Sequence, residues 1–372
     1  MTYMSTLRRR SGPAVWAILA ALLAAVMCWS VFGCQLITGD EGSYLFQAGN
    51  FLDGCIKRPV PPFFEALKYD MIILKPGIGW LSRYPPGHPL WLLPGVALGC
   101  PHVMTVLAAG LSAACLYLLG RAMGLPAYLL PLLALISPFF LFVHGTLLSH
   151  TSGFFACALL LLAYVRWRQT ERSVWAAASG LAWAFLFLNR TWTALLIALP
   201  LGVDALLQLW RQRHSLDAWR QTAVFAGTAA LGGVLYLGYN ALSTGDPLRA
   251  TYLLYEASEK LGFGPRRIQG GARLAVHHTP ALGIRNLQAN WALFNRWLFG
   301  WHGAAWVGLG VAVLGWSRRW TPLLLGMVVV VPLGYVAFWY PGIRDVGPVY
   351  YAEIVPAFLL AIGLELRGMW RC

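Results

Sequence analysis

Apolar residues in this chain come in long runs, separated by short polar breaks and by two long polar stretches. The runs cover 13–37, 89–120, 126–143, 152–165, 174–188, 191–209, 222–241, 298–316, 322–339 and 349–366. A bilayer core of about 30 Å takes roughly 20 residues of helix, and many of these runs lie near that length. The 89–120 run is longer, and Pro94, Gly95, Gly99 and Pro101 divide it into a partly inserted segment and a span near 102–119. The first run follows Arg8-Arg9-Arg10. It is too long for a signal-peptide core and has no small-x-small cleavage site, so it is expected to remain as the first span. The pattern predicts an all-α polytopic integral membrane protein of about ten transmembrane helices, one domain over 1–366 with a tail at 367–372.

The connections 120–124, 166–173, 210–220 and 317–320 are short and arginine-rich, whereas 143–151 and 188–193 carry only Arg190. Positive charge in short loops marks the cytoplasmic side. Both termini are therefore expected in the cytoplasm, and the long polar segments 38–88 and 242–297 outside, together with the turn 340–349. The first external loop is too charged to cross lipid and too broken by prolines for one helix. Short interfacial helices are expected in both loops, one of them over 286–301, which is amphipathic with Trp291, Trp297 and Trp301.

Composition sharpens the class. With 58% hydrophobic and 11% charged residues, the chain has too few charges to cover a water-soluble globule. A cytosolic enzyme, a secreted domain and a DNA-binding protein are excluded. The formal charge of +14 is read through membrane orientation rather than as a nucleic-acid footprint, and the 18 Trp fit interfacial belts. The seven cysteines form no CxxC pair and no Cys/His spacing of a zinc site, so metal chemistry through sulfur is not expected. Cys34 and Cys55 share the expected oxidising face, which leaves a pairing open on compartment grounds alone.

Candidate chemistry gathers at the external rim. Asp40-Glu41 stands where the first span ends, followed at helical spacing by Tyr44 and Gln47. The bland reading is a solvated pair at a helix end; a loop this long outside a polytopic protein usually has a function. Arg83 and His88 flank Tyr84-Pro85-Pro86-Gly87, either as a proline-stiffened loop with a snorkelling arginine or as cations placed against a phosphate. Lys75 is a weaker candidate of the same kind. The helix before Arg190 has about 15 apolar residues, or roughly 22 Å, short of a 30 Å core. An unpaired cation there costs up to about 3 kcal/mol, so Arg190 should face protein or water, as a structural residue or a phosphate ligand. His144 and His150 bracket a short external turn and are packing residues in the bland reading. With Asp40-Glu41 they offer donors for a divalent metal, but their spacing does not establish one, and the cofactor requirement stays open. Asp246 reads as a turn residue, and Arg266-Arg267, Arg273 and His277-His278 as a basic loop near anionic headgroups. Arg344 has three options: Asp345, Glu353 or a donor.

The order of Asp40-Glu41-Gly42-Ser43-Tyr44, Tyr84-Pro85-Pro86-Gly87-His88-Pro89, Ser137-Pro138, Ser149-His150, Leu188-Asn189-Arg190-Thr191 and Thr244-Gly245-Asp246-Pro247 resembles the GT-C membrane glycosyltransferases. Within them it is most similar to the glycosyltransferase family 39 branch, which includes protein O-mannosyltransferases and aminoarabinose lipid A transferases. The likeness covers roughly residues 10 to 250. It implies inverting transfer of a monosaccharide from a polyprenyl-phosphate donor to a hydroxyl acceptor at the extracytoplasmic face of a bacterial inner membrane. Asp40 or Glu41, with Asp40 preferred, would take the acceptor proton. Arg83, His88 and Arg190 would meet the donor phosphate. Tyr44, Tyr84, His150 and Arg344 would line the substrate site. A single working carboxylate suits inversion, and adjacent residues on a helix do not face each other as a hydrolase pair.

The chain is expected to end after its last span without a soluble carboxy-terminal domain, which leaves a glycan, lipid or protein acceptor open. Two other classes remain: a transporter or flippase of lipid-linked sugars, and a non-catalytic envelope-assembly protein. No internal duplication favours the transporter.

Overall fold

A computed structural model of the chain describes residues 2–67, 69–267, 275–314 and 319–369. The first helix, α1 (Thr2–Val26), continues into a π-helical turn, Met27–Val31. The first polar loop then folds as α2 (Gly39–Leu52) and a hairpin of β1 (Ile72–Lys75) and β2 (Gly79–Ser82), registered Ile72 to Ser82 and Lys75 to Gly79. Next come α3 (Gly87–Ala97), α4 (His102–Ala122), α5 (Leu129–Leu135), α6 (Pro138–His144), α7 (His150–Thr170), α8 (Ser173–Asn189), α9 (Thr191–Arg211) and α10 (Leu216–Thr244). The second polar loop holds α11 (Thr251–Tyr255), the strands β3 (Gly264–Arg267) and β4 (Ala275–His278), and α12 (Pro280–Trp297). The remainder is α13 (Ala304–Leu314), α14 (Thr321–Gly334), the two-residue strands β5 (Ile343–Arg344) and β6 (Gly347–Pro348), a 3-10 turn Val349–Ile354, and α15 (Val355–Met369).

Among the described residues, five stretches, Gly12–Val31, His102–Ala122, Thr191–Arg211, Leu216–Thr244 and Val349–Leu366, are long and apolar enough to cross a membrane. Ser173–Asn189, Ala304–Leu314 and Thr321–Ala337 are shorter apolar helices. The chain is thus an all-α integral membrane protein. The apolar run 126–143 is not one span. Ser137 accepts the N–H of Phe140 and Pro138 opens the next helix, so the run divides into α5 and α6. Both polar loops contain short strands that the hydropathy pattern did not indicate.

Small residues set the helix contacts. Ala20 and Ala24 of α1 and Ala109 and Ala113 of α4 are fully buried, and a Cβ on Gly110 would stand 2.9 Å from the Ala17 carbonyl oxygen. Such close approach replaces the hydrophobic drive that lipid does not supply between helices. Gly180 and Gly232 do the same where α8 meets α10. The other face of α1 exposes Ile18 and Leu22 by 59% and 58%, a surface suited to lipid and not to water. At the centre, α7 and α15 are buried nearly throughout, with Phe154, Tyr164 and Phe358 among their fully enclosed side chains.

Candidate active site

The first turn of α2 carries both acids and turns them in opposite directions. Glu41 is fully buried and reaches back over the helix start, accepting the N–H of Ile37 at 2.6 Å and of Thr38 at 3.1 Å. Its other oxygen accepts the N–H of Leu147 at 2.8 Å, tying α2 to the turn before α7. Burial pushes this carboxyl up to about 7, against the lowering effect of those three N–H groups. Asp40 faces the other way. Its Oδ1 accepts from the Tyr84 hydroxyl, and its Oδ2 accepts from Arg344 Nη2 at 2.6 Å.

The segment after β2 is held against α2. Ser82 shares a 2.7 Å hydrogen bond with Ser43, donates its N–H to Gln47 Oε1 at 2.9 Å, and accepts the N–H of Tyr84 at 3.1 Å. Beyond the two prolines, a Cβ on Gly87 would lie 2.6 Å from the backbone carbon of Leu188, so only glycine lets the chain pass the end of α8. This fixes Arg83 and Tyr84 beside Asp40. Arg83 Nη2 stands 2.5 Å from Glu259 Oε2. The guanidinium lies 5.3, 4.7 and 4.8 Å from the ring centroids of Tyr84, Tyr252 and Tyr255. Burial works against its charge, but the pull of Tyr84 and Glu259 outweighs burial and raises its hold on the proton.

Arg190 sits at the break between α8 and α9. It donates to Ser149 Oγ and to the Tyr335 hydroxyl, both at 3.3 Å, and its Nε is 3.7 Å from Glu353 Oε1. Its guanidinium is 5.3 Å from the Tyr350 ring, which stacks on Tyr335 at 4.4 Å. His150 Nδ1 lies 2.9 Å from the same oxygen of Glu353, a fully buried carboxylate. Tyr44 joins the two halves: its hydroxyl donates to Ser149 Oγ at 3.1 Å, and its ring meets Tyr84 at 4.7 Å.

The structure therefore brings Asp40, Tyr44, Arg83, Tyr84, His150, Arg190 and Arg344 into one connected cluster. Glu41 and His88 lie behind it. The ring nitrogens of His88 are 2.7 Å from Ser152 Oγ and 2.7 Å from the Leu147 carbonyl oxygen, and burial drives the imidazole down to about 3. It is neutral, with both nitrogens engaged. Arg344 takes Asp40, not Asp345 or Glu353. Elsewhere, Lys75 donates to the Leu254 carbonyl at 2.6 Å, Asp246 accepts the N–H of Leu248 at 2.9 Å within its turn, and His144 bonds the Phe140 carbonyl at 2.9 Å. Arg266 is buried, donating to the carbonyls of Pro265 and Gly262 at 3.0 and 2.6 Å. Arg273 lies outside the described residues.

Four members of the cluster carried no sequence signal: Tyr252, Glu259, Tyr335 and, as a partner of His150 and Arg190, Glu353. Asp40 and Arg83 each expose 7% of their surface, so the cluster is nearly closed. A separate concavity of about 640 Å³, lined by Lys57, Arg58, Pro61, Phe64 and Pro76, lies on the first loop and shares no residue with it. Among the described residues, no three His, Cys or acidic donors converge around Asp40 as a metal would require.

The helical membrane body with its loop rim has the fold of the GT-C membrane glycosyltransferases. In structure the chain is similar to ArnT from Cupriavidus metallidurans bound to undecaprenyl phosphate, with 17% identity and a TM-score of 0.57 over 96% of this chain and 60% of that one. ArnT in the apo state gives 13% identity and a TM-score of 0.59 with the same coverage. The Archaeoglobus fulgidus oligosaccharyltransferase in the apo form gives 14% and 0.56, over 97% of this chain and 51% of that one. The chain thus spans between half and three-fifths of the length of these neighbours, and the likeness is one of fold. No family profile matches the chain, and no curated protein matches it in sequence.

Proposed function

We propose that this protein transfers a monosaccharide from a polyprenyl-phosphate donor to a hydroxyl acceptor, inverting the anomeric centre. The observation that carries the reading is the meeting of one carboxylate, Asp40, with the guanidinium groups of Arg83, Arg190 and Arg344 in a nearly closed cluster. The ArnT neighbour, which is bound to undecaprenyl phosphate, supports a lipid phosphate as the donor's leaving group. Arginine-rich short connections on the opposite side support an extracytoplasmic site with both termini in the cytoplasm.

Asp40 is the base. Tyr84 and Arg344 occupy one direction at each oxygen, and an ionised carboxylate has about four acceptor sites, so an incoming hydroxyl still finds a lone pair. As the hydroxyl attacks, its proton moves to Asp40 and the anomeric bond to the lipid phosphate breaks. Negative charge developing on that phosphate is stabilised by cationic donors already gathered in the cluster. Arg83 and Arg190 supply them, each released from a carboxylate partner, Glu259 and Glu353. Tyr44, Tyr84 and His150 shape the sugar site, while Glu41 and His88 hold the backbone that carries it.

The test is transfer by the purified full chain supplied with polyprenyl-phosphate sugars and candidate acceptors. New glycoside with inverted configuration, absent from folded Asp40→Asn, supports the reading. Full transfer by Asp40→Asn removes the base, and transbilayer movement of the lipid without bond formation replaces the transferase with a flippase.

A further inference from the structure

A second cluster lies at the other side of the α1 exit. The Sγ atoms of Cys28 and Cys34 are 3.5 Å apart, and with a ring nitrogen of His102 they form a set of donors all within 4.8 Å of one another. The backbone is shaped to make this contact. The π-helical turn at Met27–Val31 closes α1, and Gly33 and Cys34 follow with φ of 59° and 54°, folding the chain back so that the Cys34 N–H reaches the Cys28 carbonyl at 3.0 Å. A non-glycine residue in the left-handed region costs on the order of 1 kcal/mol, so the turn is not a default path. His102 opens α4 and is nearly buried, and neither ring nitrogen makes a hydrogen bond among the described residues. Cys28 is enclosed, whereas Cys34 keeps a partly open face through which an ion can enter.

The spacing can be set beside what a disulfide and a metal each require. A disulfide needs sulfurs about 2.05 Å apart. Tetrahedral zinc at about 2.3 Å from sulfur and 2.0 Å from nitrogen sets sulfurs about 3.8 Å apart and sulfur and nitrogen about 3.5 Å apart. The sulfurs, in thiol–thiol contact at 3.5 Å, already stand near the metal spacing, and the His102 nitrogen, within 4.8 Å of both, has at most about an ångström to close on binding. Charge agrees. Two thiolates and one divalent cation sum to zero, so an ionised site can persist at the membrane edge where a lone thiolate could not.

We propose that Cys28, Cys34 and His102 bind a thiophilic divalent cation, with zinc as the type. Binding releases one proton from each thiol to solvent, two sulfur–metal bonds and one nitrogen–metal bond form, and water completes the tetrahedron. The ion would staple the end of α1 to the start of α4. Three and four residues beyond Cys34, Ile37 and Thr38 donate their N–H groups to Glu41, so the staple fixes the segment that delivers Asp40.

The experiment uses the reduced, chelator-treated full chain in detergent, titrated with Co²⁺ alone. The expected result is a visible spectrum of tetrahedral cobalt with a sulfur-to-cobalt charge-transfer band, saturating at one ion per chain and bleached by Zn²⁺. Cys28→Ser and Cys34→Ser lose the charge-transfer band, His102→Ala weakens binding, and Cys55→Ser leaves the spectrum unchanged. Should the serine variants not fold, the spectrum and metal content of the unaltered chain decide. No charge-transfer band on protein whose thiols titrate as reduced overturns the proposal, as does a band retained by both serine variants. A Cys28–Cys34 disulfide in metal-free protein taken directly from membranes overturns it too.

Discussion

Arg344 Nη2 meets Asp40 Oδ2 at 2.6 Å across 304 positions of sequence, joining the last external turn to the first. The pair is mostly enclosed, so each partner orients the other. For a carboxylate acting as base, loss of the acid is expected to lower kcat by about 10²–10⁴-fold. Asp40→Asn should therefore remove transfer while leaving donor binding within a few-fold of normal. Arg344→Gln should lower kcat more than it changes donor KM, because it frees the base from its fixed direction. Steady-state kinetics with a defined lipid donor separates the two effects. An Arg344→Gln enzyme altered only in KM would assign this arginine to binding.

Arg83 is expected to dominate donor affinity. It lies among three tyrosine rings and one carboxylate, and a charged hydrogen bond to phosphate is worth roughly 2–3 kcal/mol, or about 30–150-fold in binding. Arg83→Ala should lose that much. Arg83→Lys should not restore it, since a lysine neither stacks on the rings nor bonds through a planar fork. Glu259→Gln should do the reverse and tighten donor binding several-fold by releasing Arg83. Equilibrium binding of polyprenyl phosphate measures all three.

Glu41 gives the fold a pH dependence of unusual sign. Its carboxyl rises from 4.5 to about 7 on folding because burial disfavours the charge. Between those values the folded chain holds a proton that the unfolded chain has released, so this group's contribution is complete below pH 4.5 and is lost as pH climbs through 7. The change amounts to about 3 kcal/mol at most. Thermal unfolding in detergent should show Glu41→Gln with a flatter profile across that window. An unchanged slope would locate the dependence elsewhere.

Gly87→Ala tests the close passage beside α8. Its added Cβ would lie 2.6 Å from backbone, which cannot move as a side-chain tip can. Overpacking of this kind costs about 1–3 kcal/mol and should lower the unfolding temperature. Gly54, with nothing within 4 Å of its Cβ position, is the control for crowding, although its φ of 73° strains an alanine on its own account.

What could be read in advance follows from the range of each signal. Asp40 stands at a helix start, and Arg83 and Tyr84 flank a proline turn; both are local patterns, and the motif that named them spans a few residues. The helical body was legible because lipid demands apolar runs, yet the Ser137-Pro138 boundary lies inside one run and barely interrupts its hydropathy. The pairing of Glu353 with His150 and Arg190 was hidden for a different reason. It sits in an apolar stretch between Ala352 and Ile354, and its partner His150 is 203 positions away. Glu259 and Tyr252 lie in a loop with no periodicity, where position depends on the fold. The cysteine pair carries no zinc spacing of its own because its third donor, His102, comes from another helix. Short hairpins such as β1–β2 give hydropathy no period long enough to register.

The three guanidinium groups of the cluster are matched one for one by Asp40, Glu259 and Glu353. With all six groups ionised the cluster is electroneutral, and on the proposed chemistry a phosphodiester entering it brings a surplus anion. Once the acceptor's proton has passed to Asp40, one of the three counter-ions has vanished, and the departing phosphate carries the second charge that replaces it. Spent carrier is then gripped harder than fresh carrier. Turnover on the proposed chemistry would be throttled by clearance of the lipid, and that clearance by the return of a proton to water.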